Sequence, residues 1–417
     1  MISLTEHDQK MLSGDQGEAC VLAMRILTRS ASLMGARSLV DITSAHIDGC
    51  LYHGQASLDF VDRLVSGGGK VAVPTTLNVG SIDLIHPELF KGDRALKTAG
   101  TRLMEAHAEL GCEPSFTCAP YQLKNRPVFG QQIAWAESNA IVFANSVLGA
   151  RTNRYGDFID LCAAITGRAP YCGLHLSENR HADILFEVVD FPEKKESRDI
   201  YYALLGFLIG KQAAGRIPAI RGLPLDTSED ELKALGAASA SSGSVAMFHA
   251  IGITPEASDL ETAFGGRRPG EVITLDLRDL SDARTALSKG RPGEKLAAVS
   301  VGTPHFSLDE FSILGSYLDL MEKPFKVDFY VNTSRFILWQ LKENGLAEKL
   351  QRRGVTIVTD TCTYITPIMN DISGLVMTNS GKWAHYAPAN IGVSVAFGTL
   401  WECVASAGYG EVWFDGQ

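Results

Sequence analysis

Short runs rich in Val, Ile, Phe and Thr alternate along this chain with longer stretches whose apolar residues recur every three or four positions. The short runs are SLVDIT, KVAVPTTLN, CEPSFTCAP, DILFEVVD, GSVAMFHAI, AAVSVG, KVDFYVNT and VTIVTDTC, and each stops at polar or turn residues. Between them lie ASLDFVDRLVSGG, ALKTAGTRLMEAHAELG and TSRFILWQLKENGLAEKLQRRG, whose spacing puts the apolar side chains on one helical face. Residues 1–40 carry two further amphipathic helical patterns, the second being GEACVLAMRILTRSASLMGA. Strands alternating with helices of this length predict an α/β architecture with largely parallel sheets.

In open α/β sheets, ligands bind beyond the carboxyl ends of the strands. Chemistry-bearing residues stand at those ends: Thr75, Thr76 and Asn78; Thr117 and Cys118; Thr303, Pro304 and His305; Asp360, Thr361 and Cys362. The Ala/Ser/Gly-rich stretch Glu231–Val245 reads as the boundary between a first lobe, 1–235, and a second, 236–417.

Length and charge narrow the functional classes. A chain of 417 residues is too long for one small core, and a net charge of −10 argues against nucleic-acid or anionic-membrane partners. The opening MISLTEHDQKMLSGDQGE lacks the apolar segment of a signal peptide. The run Tyr201–Gly210, ten residues long, is too short to span a bilayer and suits a core helix. Eight dispersed cysteines suit a reducing compartment, so a cytoplasmic protein is expected.

Several clusters invite chemistry. GGGK (Gly67–Lys70) fails the phosphate-loop pattern, because Leu64 stands where a glycine is required and Val71 follows the lysine. No C-x-x-C occurs, yet Cys118 and Cys362 each follow a Thr at the end of a β-run, where two thiolates could ligate iron or zinc; the alternative is two buried small hydrophobes. SAHIDGCLYHG holds His46 and Cys50 directly after a strand, as ligands, catalytic groups or a satisfied loop. GLHLSENR brings His175 next to Glu178, Asn179 and Arg180, and MTNSGKWAHY offers Ser380 and Lys382 to an anionic oxygen. In ESNAIVFANSVLGARTNRYGD, Ser138 and Asn145 are seven residues apart and would share a helical face; Gly149 then stops the helix, and Arg151 and Arg154 follow as guanidinium forks for a carboxylate.

Taken together, TCAPY, WAESNAIVFANSVLGARTNRYGD, GLHLSENR, DTCTYITP and VMTNSGKWAHY resemble the large subunit, or large domain, of aconitase X, from SLTEHDQKMLSG to FGTLWECV. The resemblance implies an aconitase-like fold of several interlocked α/β lobes and an iron–sulfur hydro-lyase acting on a small hydroxy acid. Members dehydrate cis-3-hydroxy-L-proline, to a pyrroline carboxylate, or mevalonate 5-phosphate. It also implies a small swivelling domain, expected here either as a partner subunit or as a part cut from a longer chain, because the chain stops soon after the large-domain motifs. The phosphomevalonate branch reads GCPH where this chain reads GTPH, with Thr303 in place of a cluster cysteine. That departure favours the hydroxyproline branch and a two-iron, two-sulfide cluster over a three- or four-iron one. By this analogy Cys118 and Cys362 are metal ligands, and Cys50, from its strand-end position, is the expected third. Ser138, Asn145, Arg151, Arg154, Thr76 and Asn78 are then candidates for binding substrate, with Lys382 and the Ser380 turn as further anion grips. His46, His175 and Ser380, or a residue of the small subunit, are candidates for the base. Mevalonate 5-phosphate is the alternative substrate, and an iron–sulfur sensor that binds RNA is the alternative without catalysis.

Overall fold

The computed structural model describes residues 2–193, 198–321 and 323–415. Two compact units emerge, one formed by 1–82 with 93–181 and the other by 83–92 with 182–417.

Among the described residues, fourteen strands run in chain order: β1 (Leu39–Asp41), β2 (Ala45–Ile47), β3 (Thr75–Leu77), β4 (Ala134–Trp135), β5 (Arg168–Pro170), β6 (Ile184–Val188), β7 (Pro218–Arg221), β8 (His249–Ala250), β9 (Val272–Leu275), β10 (Leu296–Val301), β11 (Asp328–Asn332), β12 (Val355–Val358), β13 (Leu375–Thr378) and β14 (Ser394–Phe397). In the first unit, β2 pairs in parallel with both β3 and β4, and β1 pairs antiparallel with β5. The predicted strand at KVAVPTTLN shrinks to Thr75–Leu77, since Pro74 has no N–H to offer a ladder. CEPSFTCAP contributes only an isolated bridge, Thr76 to Glu113.

In the second unit two parallel sheets are wound by helices. One has the order β8-β7-β6-β9, and the other β12-β11-β10-β13-β14. Strand β10 is central and nearly all buried, as its mostly apolar run LAAVSV requires, and packs with Phe311, Leu314, Phe329 and Met377. The order reverses between β10 and β13, which makes the loops after those strands the switch point where such sheets bind ligands.

The stretch Glu231–Val245, expected as a lobe boundary, is instead the body of a helix, Glu229–Gly243, started by a Ser228 capping box. Its small residues serve contact with the helix Tyr201–Ala213, not flexibility. A Cβ on Gly206 would stand 2.2 Å from the Leu235 carbonyl oxygen, and one on Gly210 2.0 Å from Ser242 Oγ. Among the described residues no helix is long and apolar enough to cross a membrane.

Candidate functional site

The loop after β12 places Cys362 in the second unit, and buried hydrogen bonds fix it. Asn332 Nδ2 donates to the Val301 carbonyl at 2.9 Å, and the Thr363 amide donates to Asn332 Oδ1 at 3.1 Å. The Trp383 indole donates to Thr363 Oγ1 at 3.1 Å. Asp83 accepts from the Thr359 amide at 2.8 Å and from its hydroxyl at 2.9 Å. The bidentate Arg335 guanidinium holds Asp360.

On this frame Cys362 Sγ lies 3.9 Å from His305 Nε2. A thiolate and an imidazole bonded to one ion at about 2.3 and 2.0 Å stand at nearly this separation. Cys118, in the first unit, is also buried, and its carbonyl accepts from Asn139 Nδ2 at 2.7 Å. Cys362 and His305, both buried, thus supply a thiol and an imidazole that could ligate a metal ion. The donor chemistry fits iron. Cys50 is not in this set. Its thiol turns to the Ile47 carbonyl, 3.8 Å away, and burial together with Asp160, Asp48 and Asp157 pushes its pKa upward, which disfavours the thiolate a metal needs. His305, in the strand-end GTPH, is a donor beside Cys362 that the expected ligand set did not include.

Ser380 caps the helix Gly381–Ile391. Its hydroxyl accepts from the Trp383 amide at 3.0 Å and donates to the Thr303 carbonyl. Lys382 follows, buried, in the wall of a cavity of about 460 Å³ that Thr303, Phe306, Tyr317 and Asn379 also line. Lys233 enters the same cavity wall, paired with Asp230 at 2.7 Å and with Glu310, and reaches the His305 carbonyl at 3.5 Å.

In the first unit, Glu137 caps Ser138–Phe143 by accepting from the Ala140 amide at 2.8 Å, and half-buried Ser138 donates to the same carboxylate at 3.2 Å. Asn145 does not share Ser138's face along an ideal helix, because Ala144–Leu148 is a π-helical turn. Its amide is engaged within the protein: Nδ2 donates to the Thr152 carbonyl at 3.0 Å, and Oδ1 accepts from the Thr152 amide and from Arg180, both at 3.1 Å. Asn145 therefore braces the arginine loop. Arg151 is half-buried and donates to the His175 carbonyl at 3.3 Å, and Arg154 is exposed.

His175 has both ring nitrogens engaged, Nδ1 with Gln132 Oε1 at 2.6 Å and Nε2 with the Tyr155 hydroxyl at 2.5 Å. Burial, reinforced by Arg180 and Arg151, lowers its pKa to about 4. His46 lies on β2, in register with Thr76 and Trp135. Its Nδ1 meets Thr76 Oγ1 at 2.8 Å, and burial lowers its pKa to about 4, against a smaller opposing pull from Glu137. Asn78 donates to Asp48.

The chain matches the models of the aconitase X first domain over residues 1–178, second domain over 182–285 and third domain over 296–409. It is 43% identical to cis-3-hydroxy-L-proline dehydratase of Hypocrea jecorina, over 97% of this chain and 68% of that one. The chain belongs to the aconitase X family. It is 45% identical to the cis-3-hydroxy-L-proline dehydratase of Pseudomonas aeruginosa, covering 97% of this chain and 70% of that relative. Against the phosphomevalonate dehydratase large subunit of Thermococcus kodakarensis the identity is 35%, over 92% and 94%. The crystal structure of Thermococcus kodakaraensis aconitase X in its holo-form superposes with a TM-score of 0.87 at 34% identity, covering 97% of this chain and 100% of that one. The aconitase X fold is thus an α/β fold of mostly parallel sheets, as the strand and helix pattern predicts.

Proposed function

We propose that this aconitase X chain dehydrates cis-3-hydroxy-L-proline to a pyrroline-2-carboxylate, acting as the large, catalytic component beside a small swivelling-domain partner. The observation that carries the reading is the closer likeness to two hydroxyproline dehydratases, 43% and 45%, than to the phosphomevalonate enzyme at 35%. All eight cysteines are buried and, among the described residues, none is joined in a disulfide, which suits a cytoplasmic enzyme.

By the aconitase X likeness Cys118 and Cys362 would be ligands of an iron–sulfur cluster, with His305 beside Cys362 as a further donor, and Thr303 in place of the cysteine of GCPH favours two iron atoms. When bound, the cluster supplies a Lewis-acidic iron that eases departure of the substrate hydroxyl. The chain's own groups do the rest. Arg151 and Arg154, with Ser138, form one polar set for a carboxylate, and Lys382 with the amides at the start of Gly381–Ile391 forms another. Asn145 acts through Arg180 and the loop that carries Arg151. Ser380 and Lys233 hold the Thr303–His305 turn from two sides.

Anaerobically prepared protein is expected to be coloured and to release pyrroline carboxylate from cis-3-hydroxy-L-proline, with kcat/KM at least about a hundredfold above that for mevalonate 5-phosphate. Turnover of the phosphate alone would overturn the reading. Cys118→Ser and Cys362→Ser should each bleach the absorption; retained colour in both would show that the metal is held elsewhere.

A further inference from the structure

Loops that leave the carboxyl ends of strands line the cavity of about 460 Å³ in the second unit. Thr303 lies two residues beyond β10, and Asn379, Ser380, Gly381 and Lys382 directly follow β13. Between these two strands the sheet order reverses, the place where such sheets take a ligand. The volume is within the range of about 300–1,000 Å³ usual for small-molecule sites.

The wall carries charges of both signs, and most of its acids are already engaged. Asp230 and Glu310 are taken by Lys233, and Glu231 accepts from the Ser228 amide at 2.7 Å. Asp199 is different. It is open to the cavity and accepts from the Leu400 amide at 2.6 Å, but among the described residues no cation meets it. The surrounding protein pushes its pKa up to about 6, so at neutral pH it is still mostly a carboxylate. Lys382, only 4% exposed, brings an ammonium to the same wall, at the start of the helix Gly381–Ile391 where the dipole is positive. Thr303 is equally buried, and among the described residues its Oγ1 has no hydrogen-bond partner. A buried hydroxyl left unpaired is costly, which suits an occupant with polar atoms of its own.

We propose that this cavity takes the substrate as a zwitterion, with its carboxylate at Lys382 and the start of Gly381–Ile391, its ring ammonium at Asp199, and the Thr303 hydroxyl as a further hydrogen-bond partner. The inference deepens the dehydratase reading above and rests on it. Asp199 becomes a specificity-determining residue. A secondary ammonium offers it N–H donors and the missing positive charge together. Mevalonate 5-phosphate has no nitrogen, and its phosphate would meet the carboxylates of Asp199 and exposed Asp309 as like charges.

Two ligands that cannot lose a hydroxyl separate these charges: L-proline, and tetrahydrofuran-2-carboxylate, whose ring oxygen replaces the amine. Calorimetric titration of the iron-loaded protein should show L-proline binding at least about tenfold tighter. Asp199→Asn keeps an oxygen for the Leu400 amide but loses the charge. It should bring the two affinities within about threefold of each other and raise the KM for cis-3-hydroxy-L-proline about tenfold or more. Lys382→Met should weaken both ligands alike by about tenfold, which keeps the inference testable where Asp199→Asn does not fold. Equal or undetectable binding of the two ligands to the wild type, a proline preference that survives Asp199→Asn, or Lys382→Met without effect would each overturn the site. Wild-type protein that keeps the proline preference yet releases no pyrroline would instead sink the dehydratase reading, so the two failures are distinct.

Discussion

Asn145 and Arg154 stand in one polar stretch of sequence, but the protein uses them differently. Asn145 is fully buried and its side chain joins Thr152 and Arg180. Arg180, buried as well, also donates to the carbonyls of Leu174, Asn145 and Ala150 at 2.9, 3.0 and 3.1 Å. Asn145→Ala should therefore destabilise the protein by about 3 kcal/mol, because it leaves a buried guanidinium and a buried amide short of partners. Arg154 is exposed, so Arg154→Ala should change stability by less than about 0.5 kcal/mol and show itself in KM. Thermal unfolding of both variants, beside their kinetics, separates brace from grip. A stability loss from Arg154→Ala as large as that from Asn145→Ala would contradict this division.

At the level of elements, the helices Tyr201–Ala213 and Glu229–Gly243 approach so closely that glycine is required at the contact. Gly210→Val would drive side-chain carbons against Ser242 and against the Ser239 carbonyl, 2.6 Å from a Cβ there. A destabilisation of about 3 kcal/mol or more is expected, read as loss of soluble protein or a lower unfolding midpoint. This pair also shows where the sequence is readable. Alternating periodicities expose the α/β class, because strand and helix periods follow from backbone geometry, and the run LAAVSV marks a central parallel strand. Small residues carry no such signal: Ala, Ser and Gly serve a linker and a close helix contact equally well, so ELKALGAASASSGSV reads as a boundary until its partner is known. The same limit applies to the site. His46, Cys118 and Cys362 are visible as strand-end residues, but the engagement of both His175 nitrogens depends on Gln132 and Tyr155, 43 and 20 residues away. Nothing local in GLHLSENR announces them. Asn139, beside the expected Ser138, is the residue that reaches Cys118, and helical spacing alone does not choose between neighbours.

For the molecule as a whole, three buried histidines of the first unit weaken the fold in acid. His46, His107 and His175 each have a pKa lowered to about 4, mainly by burial. Unfolding returns each to the ordinary value near 6.5. Between those values the unfolded chain binds protons that the folded one refuses, so stability is full above about pH 6.5 and falls as pH drops toward 4. By pH 5 each histidine removes roughly 2 kcal/mol. Burial pushes the carboxyls of Asp160, Asp199 and Glu310 up to about 8, 6 and 7, so the folded chain takes up protons there first and gains stability over the same range. The histidine share is therefore read by difference: His107→Gln, a helix residue outside the proposed chemistry whose Nδ1 meets the Leu103 carbonyl, should gain roughly 2 kcal/mol on the parent protein between pH 7 and 5, and an unchanged difference would assign the acid sensitivity to other groups.

Asp83–Gly92 lies early in the chain yet belongs to the compact unit built mostly from 182 onward. Asp83 meets Thr359, a partner 276 residues later, and the Lys91 amide donates to the Pro367 carbonyl. During synthesis, this segment leaves the ribosome long before its partners exist. The ten residues between Ile82 and Asp93 reach their partners only once Thr359 and Pro367 have been made. Separate expression of 182–417 would omit that segment, leaving Thr359 and the loop that carries Cys362 without Asp83.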